Sequence, residues 1–294
     1  MSRLAIGAVA LLVASELAAQ DGLYIGSELG AAFAPSMRLV GVDNDWGTRC
    51  DKLINPDGLE TGGECDAQPP PTEWTNESRG VRGFAAGLTM GYRLGRWRAE
   101  VQYRYRGAPH YDYAPTQIGD AVTEEKAEQE LEKAVGGAGH VRVHGVFANL
   151  ALDLRTDSRL TPYVGVGGGV ARMSIDYFSL WKRNGDPSLI TTFEDAALRA
   201  KLAGTTTLGA TVLNDTMFGF QVLAGLDYRA TDRFTVGLKL TRPVMLGAFE
   251  SKPHEWDQLR SHDSTVGRGS RIVYTVETRD TGAYNFTVSL RFAL

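Results

Sequence analysis

The sequence predicts an all-β fold: an eight-stranded antiparallel up-and-down transmembrane β-barrel, with long extracellular loops containing short helices. Three observations predict it. Apolar and polar residues alternate over eight separate stretches, as strands with one oily and one wet face require. The connections between those stretches alternate long and short. Beyond residue 19, no apolar run reaches the length that a spanning helix needs.

The first element is a leader. "MSRLAIGAVALLVASELAAQ" carries Arg3, an apolar run from Leu4 to Ala14, and small residues at Ala18 and Ala19. That is the pattern of a secretory signal peptide, too short to span a membrane, and it places cleavage after Ala19. The mature chain is then residues 20–294, one barrel domain. A buried N-terminal helix is the plainer alternative.

The strands follow in order. "LYIGSELGAAF" sets Leu23, Ile25, Leu29, Ala31 and Phe33 against Tyr24 and Glu28. "RGFAAGLTMGYRL" aligns Phe84, Leu88, Met90, Tyr92 and Leu94. In "WRAEVQYRYR", Trp97, Ala99, Val101, Tyr103 and Tyr105 alternate with Arg98, Glu100, Gln102, Arg104 and Arg106. Val146, Ala148, Leu150, Leu152 and Leu154 oppose Asn149 and Asp153. "LTPYVGVGGGVARM" is glycine-rich, with Val164, Val166 and Val170 outward. Phe218, Phe220, Val222, Leu226 and Tyr228 oppose Gln221, Asp227 and Arg229. Phe234, Val236, Leu238 and Leu240 oppose Lys239. The chain ends on "YNFTVSLRFAL", where Tyr284, Phe286, Val288, Leu290, Phe292 and Leu294 form one face.

Three connections are short, at 95–96, 156–159 and 230–233. Four are long, at about 35–80, 107–139, 176–215 and 243–270. Membrane barrels sort short inner turns from long outer loops in this way, whereas a soluble sandwich has no reason to. The terminal strand must then close against the first, leaving no unpaired edge in lipid. Aromatics near strand ends (Tyr24, Phe33, Trp97, Tyr103, Tyr105, Phe218, Tyr228, Phe234, Tyr284, Phe292) suit interfacial girdles. The polar faces carry both charge signs. Arg98, Glu100, Arg104, Asp153, Asp227 and Lys239 are expected to pair across a narrow lumen. In a soluble lipocalin-like barrel, the alternative, the apolar faces would instead line a ligand cavity.

The leader, the early "GLYIGSELG", the mid-chain "TPYVGVGGGVA" and the terminal "YNFTVSLRFAL" together resemble the small Gram-negative outer-membrane barrels of the opacity-protein and outer-membrane-protein-A-like type. The resemblance spans the mature chain and implies location in the outer membrane. It also implies that the terminal strand, Tyr284 to Leu294, is a sorting signal for the barrel-assembly machinery. Such strands usually end on an aromatic; here Leu294 is last and Phe292 stands two places earlier, in the same register.

The loops carry little chemistry. Cys50 and Cys65, the only cysteines among 294 residues, lie in one loop and would pair in an oxidising compartment. Metal ligation, with no histidine nearby, is the weaker reading. "GDAVTEEKAEQELEKAV" favours a solvated helix with a thin stripe of Val122, Ala127, Leu131 and Ala134. In "TTFEDAALRAKLAG", Thr191 and Glu194 fit a capping box and Gly204 a stop, with Phe193, Ala197 and Ala200 packing on the rim.

No nucleophile elbow, zinc-protease motif or phosphate loop is present. "GVGGGV" lies in a strand pattern with no helix after it, so it reads poorly as a nucleotide loop. His140 and His144 share a strand face and would serve as polar lumen or rim residues, or less readily as metal ligands or part of a lipid esterase. His110, His254 and His262 are loop residues. No catalytic, cofactor or metal residues are assigned. A net charge of -4 without a basic stretch gives no reason to expect nucleic acid.

The expected role is therefore non-enzymatic: a monomer in the lipid bilayer and lipopolysaccharide, contacting host or neighbouring surface proteins through its loops. A small-solute pore and an outer-membrane lipid-modifying enzyme are the alternatives.

Overall fold

The computed structural model describes residues 21–43, 72–108, 113–118, 130–154, 156, 158–191, 194–258 and 272–294. Fourteen strands fall within them. In chain order they are β1 (Gly22–Ala34), β2 (Met37–Asp43), β3 (Thr72–Ser78), β4 (Val81–Leu94), β5 (Trp97–Ala108), β6 (Ala114–Ile118) and β7 (Leu131–Asp153). Then come β8 (Leu160–Arg183), β9 (Thr206–Arg229), β10 (Phe234–Met245), β11 (Phe249–Glu250), β12 (His254–Glu255), β13 (Val273–Thr278) and β14 (Tyr284–Ala293).

Eight of these strands close a ring. Each of β1, β4, β5, β7, β8, β9, β10 and β14 pairs antiparallel with the next, and β14 returns to β1. The closing seam runs from Tyr24 opposite Ala293 to Phe33 opposite Tyr284. Every wall strand therefore has a neighbour on both sides, which lipid demands because it offers no water to unpaired amides.

The faces follow the alternation. Leu29, Leu88, Val101, Leu150, Val166, Phe218, Leu238 and Val288 all point outward and are exposed, while Glu28, Arg98, Gln102, Asn149, Gln221 and Asp227 are buried inside. This is a soluble protein turned inside out, and it fixes the ring as a transmembrane one. One residue placed in the aromatic girdles belongs elsewhere: Tyr24 is buried in the lumen, where its hydroxyl donates to Glu100 Oε1 at 2.6 Å. It shares its phase with Glu28, and phase decides the face.

Three strands run well past the alternating stretches. β7, β8 and β9 are 23, 24 and 24 residues long, so much of the expected loops at 107–139 and 176–215 is strand. The reason is a polarity inversion. On β8, Val164, Val166 and Val170 face outward over inward Gly165, Gly167 and Gly169. Further along, with no change of phase, Arg172 faces outward, and Met173, Ile175, Tyr177 and Trp181 are buried. The strand leaves lipid for water and becomes an ordinary soluble strand.

Above that level β2, β3, β6, β11, β12 and β13 form a second sheet in the order β11-β13-β2-β3-β6, joined to β7 through β6. With the extended β7–β9 it encloses an apolar core of Met37, Leu39, Trp74, Ile175, Trp181, Leu213, Phe249 and Tyr274. We call this part the head. The lower strands meet it through one-residue phase changes. Even positions of β1 face inward (Tyr24, Glu28, Ala32), whereas odd positions of β2 do (Met37, Leu39). The same slip separates β3 (Trp74, Asn76) from β4 (Ala85), and β13 (Tyr274, Val276) from β14 (Asn285, Thr287).

The expected helices need correction. Leu131 and Ala134 lie in β7, not in a helix; the rest of that segment, 119–129, is outside the described residues. One short α1 (Ala196–Leu202) forms, capped by Asp195, whose carboxylate accepts from the Ala197 N–H at 2.8 Å. Asp195 is one residue from the helix and Thr191 is five, so only the former reaches the open amides. Thr191 Oγ1 instead donates to Glu130 Oε1 at 3.2 Å. Gly204, at φ +75°, stops the helix as expected. Leu198 and Leu202, not Ala197 and Ala200, pack inward with Ile190 and Ala203. Phe193 lies outside the described residues.

Inward glycines make room for the lumen residues. A Cβ on Gly167 would stand 2.0 Å from Asn149 Oδ1 and 2.8 Å from the Ala148 carbonyl oxygen. The Gly167→Ala variant is therefore expected to lose about 1–3 kcal/mol. A lower urea midpoint for the compact species on unboiled gels checks this, and an unchanged midpoint would contradict it.

Candidate functional site

Two parts of the molecule carry side chains beyond scaffold needs: the polar lumen and the head. In the lumen, β5 contributes most because its residues from Arg98 to Arg106 alternate long polar chains inward. Arg98 is the hub. Its guanidinium meets Asp153 at 2.8 Å, Asp227 at 3.2 Å and Glu100 at 3.9 Å, and lies 4.0 Å over the Tyr163 ring. Arg93 takes the other oxygen of Asp153 at 2.9 Å, and Arg291 pairs with Asp227. Lys239 reaches Glu28 at 3.2 Å.

Uncharged amides form a second layer. Gln102 donates to Glu28 at 2.5 Å, while Asn149 and Gln221 donate to Gln102 Oε1 at 3.1 and 3.0 Å. Arg104 donates to Gln221 and Thr241 at 2.8 and 3.0 Å and stacks on Phe147. All six expected lumen residues, Arg98, Glu100, Arg104, Asp153, Asp227 and Lys239, face inward and are buried. The network also draws in Glu28, Arg93, Gln102, Asn149, Gln221 and Arg291. Each shares the inward phase of its strand, the signal by which it can be found in the sequence. What space remains amid Glu28, Arg98, Glu100, Tyr163, Lys239 and Arg291 is a void of about 20 Å³, room for about one water.

His140 and His144 are not in the lumen, and His110 and His262 lie outside the described residues. His144 points outward at the membrane edge, with Nδ1 2.8 Å from the Tyr103 hydroxyl and its ring against Tyr105. His140, also outward, stands 3.6 Å from Asp176. No cluster of three or more metal-ligating side chains occurs among the described residues. Cys50 and Cys65 lie outside the described residues. The terminal face of Tyr284, Phe286, Val288, Leu290, Phe292 and Leu294 is exposed on the lipid side of the closing strand.

The head is held by aromatics whose polar atoms are mostly satisfied. Trp74 Nε1 donates to the Tyr177 hydroxyl at 3.1 Å, Trp181 Nε1 to Ser179 at 3.0 Å and Trp256 Nε1 to Asp43 at 3.2 Å. Tyr274 packs on Trp256, centroids 4.5 Å apart, but its buried hydroxyl has no hydrogen-bond partner among the described residues. Burial raises the Tyr274 pKa above its ordinary value. Burial likewise lowers that of His254, a loop residue paired through β12 to β13.

Ring, outward apolar band and charged interior together define a small transmembrane β-barrel of the outer-membrane type, carrying a folded head on its long-loop side. No family model matches the sequence, and no curated protein does. Among solved structures, the chain is similar to Neisserial surface protein A (12% identity, TM-score 0.39, covering 93% of this chain and 97% of that one). It is similar to outer membrane protein OprG from Pseudomonas aeruginosa (12% identity, TM-score 0.45, 95% and 100%) and to the outer membrane protease OmpT from Escherichia coli (6% identity, TM-score 0.33, 92% and 97%). These likenesses are to barrels of differing roles and assign none to this chain.

Two outcomes are expected. Asp227→Ala strands Arg98 and Arg291 without their shared carboxylate and should cost about 3–5 kcal/mol in urea unfolding, with partial recovery on adding Arg98→Met. Equal stability of Asp227→Ala and the parent would refute the hub. For Tyr274, the raised folded pKa means that stability is whole below about pH 10, the ordinary tyrosine value, and falls as pH rises through the raised one. Tyr274→Phe should fold at neutral pH and reduce that alkaline loss, read by tryptophan fluorescence, leaving the share of the neighbouring Tyr177, whose pKa burial also raises.

Proposed function

We propose that the chain is exported behind its leader, residues 1–19, and that residues 20–294 form a monomeric outer-membrane barrel. Its role is structural and interactive, performed through the surface of the head and the adjoining loops rather than by transport or catalysis. The terminal strand serves as the recognition signal for the barrel-assembly machinery, and lipid with lipopolysaccharide surrounds the wall. Partners are neighbouring or host surface proteins.

The observation that carries this reading is that the described residues fill the interior at two levels. Among the described residues, side chains fill the lower lumen around a void of about 20 Å³, and above it the head carries a packed apolar core. Eight strands leave an interior that side chains can fill, so closure needs no separate plug. Ion pairs in the lower lumen and tryptophans packed above it support a scaffold that displays a surface.

Planar-bilayer recording tests the transport half. The purified protein is expected to give no conductance steps, and reproducible steps would replace this reading with a pore. Removal of the head by limited proteolysis, with the ring still migrating as a compact species, is expected to abolish binding to cell surfaces. Binding that survives intact would place recognition elsewhere.

A further inference from the structure

The outer wall changes character in one step. Cross-strand neighbours Tyr103, Val146, Val170 and Phe218 form an exposed apolar row across β5, β7, β8 and β9. The next outward row, two residues on, is Tyr105, His144, Arg172 and Thr216. The row beyond is Gly107, Arg142, Ser174 and Asn214. Two guanidiniums and an imidazole thus stand side by side at the hydrocarbon edge.

The local anions do not cancel them. Asp176 engages Arg142 and lies 3.6 Å from His140. Arg172 is exposed and meets no carboxylate among the described residues. A cation held at a lipid boundary without a protein partner is costly unless it reaches headgroups.

Beneath this cluster the wall carries a dent. The row below the apolar one is Val101, Ala148, Gly168 and Phe220. A Cβ on outward Gly168 would meet nothing closer than the Gly219 carbonyl oxygen at 4.0 Å. Ala148 and Gly168 are neighbours, so a shallow slot opens between the larger Val101 and Phe220. Neither packing nor pairing requires a glycine there; on the inward side of the same strand, by contrast, Asn149 crowds Gly167 and Phe147 crowds Gly169.

We infer that Arg172, Arg142 and His144 hold the phosphate of a lipid in the leaflet on the head side, with an acyl chain lying in the Ala148–Gly168 slot. A guanidinium grips phosphate oxygens through two parallel N–H donors, a geometry that suits a phosphomonoester better than a zwitterionic headgroup. The slot distinguishes a lipid from free phosphate, because only the former has a chain to place. The inference rests on the membrane-spanning reading above.

The test uses the full chain in nanodiscs of phosphatidylcholine doped with phosphatidic acid, with retained lipid counted by native mass spectrometry. The parent is expected to retain phosphatidic acid in preference to phosphatidylcholine, and millimolar inorganic phosphate should not displace it. Arg172→Gln should weaken retention roughly five-fold, Arg172→Lys less, and Gly168→Leu should weaken it without altering any charge. Equal retention by Arg172→Gln and the parent would overturn the site, and displacement by inorganic phosphate would reduce it to a free-anion site. Unboiled-gel migration confirms that each variant is folded. A chain that fails to enter nanodiscs at all would instead sink the membrane-spanning reading.

Discussion

The structure depends on the seam between β1 and β14. Lipid cannot hydrogen-bond an open strand edge, so a wall of β-strands in a membrane is stable only when its ends meet. Ten paired positions from Tyr24 to Phe33 make that closure, using the first described strand and the last. Once the ring is closed, its size dictates the rest. The interior of eight strands is narrow, and every long polar chain pointing inward must find a partner across it. Arg98, bridging Asp153 and Asp227 from two other strands, is the consequence. The glycines follow from the same crowding, since Gly87 yields to Glu28, Gly91 to Tyr24 and Gly225 to Tyr163.

Much of this was legible in the sequence because a transmembrane strand writes both its faces into one line. The eight strands, their outward residues and the six charged lumen residues could be read from period-two alternation alone. The head could not. Where β8 passes Arg172, its apolar positions move from even to odd numbers, which reads as the end of a strand although the backbone continues unbroken. The phase slips between β1 and β2, β3 and β4, and β13 and β14 hide the second sheet in the same way. Leu131 and Ala134, which fit a helical stripe in the sequence, instead lie in β7 and pair with β8, a case of tertiary contact overriding local preference.

The site was legible in composition but not in detail. Gln102, Asn149 and Gln221 are unremarkable in a sequence, yet together they link the Glu28 and Arg104 ends of the lumen. The outward row of Tyr105, His144 and Arg172 was equally hidden. Its members lie on three strands and far apart in the sequence, and only the register of β5, β7 and β8 brings them into line.

The unbroken passage of β8 and β9 from ring to head has a mechanical meaning. From Arg172 to Arg183, β8 extends roughly 35 Å along its own axis at about 3.3 Å per residue, or roughly 25–30 Å in height once an ordinary barrel tilt is allowed for. The tip around Ile190 and Leu202 is thus a mast of fixed stand-off, stiffened by ladder bonds instead of hanging from a tether. Whatever grasps the mast meets it at that elevation, and any torque applied there is delivered directly into the wall.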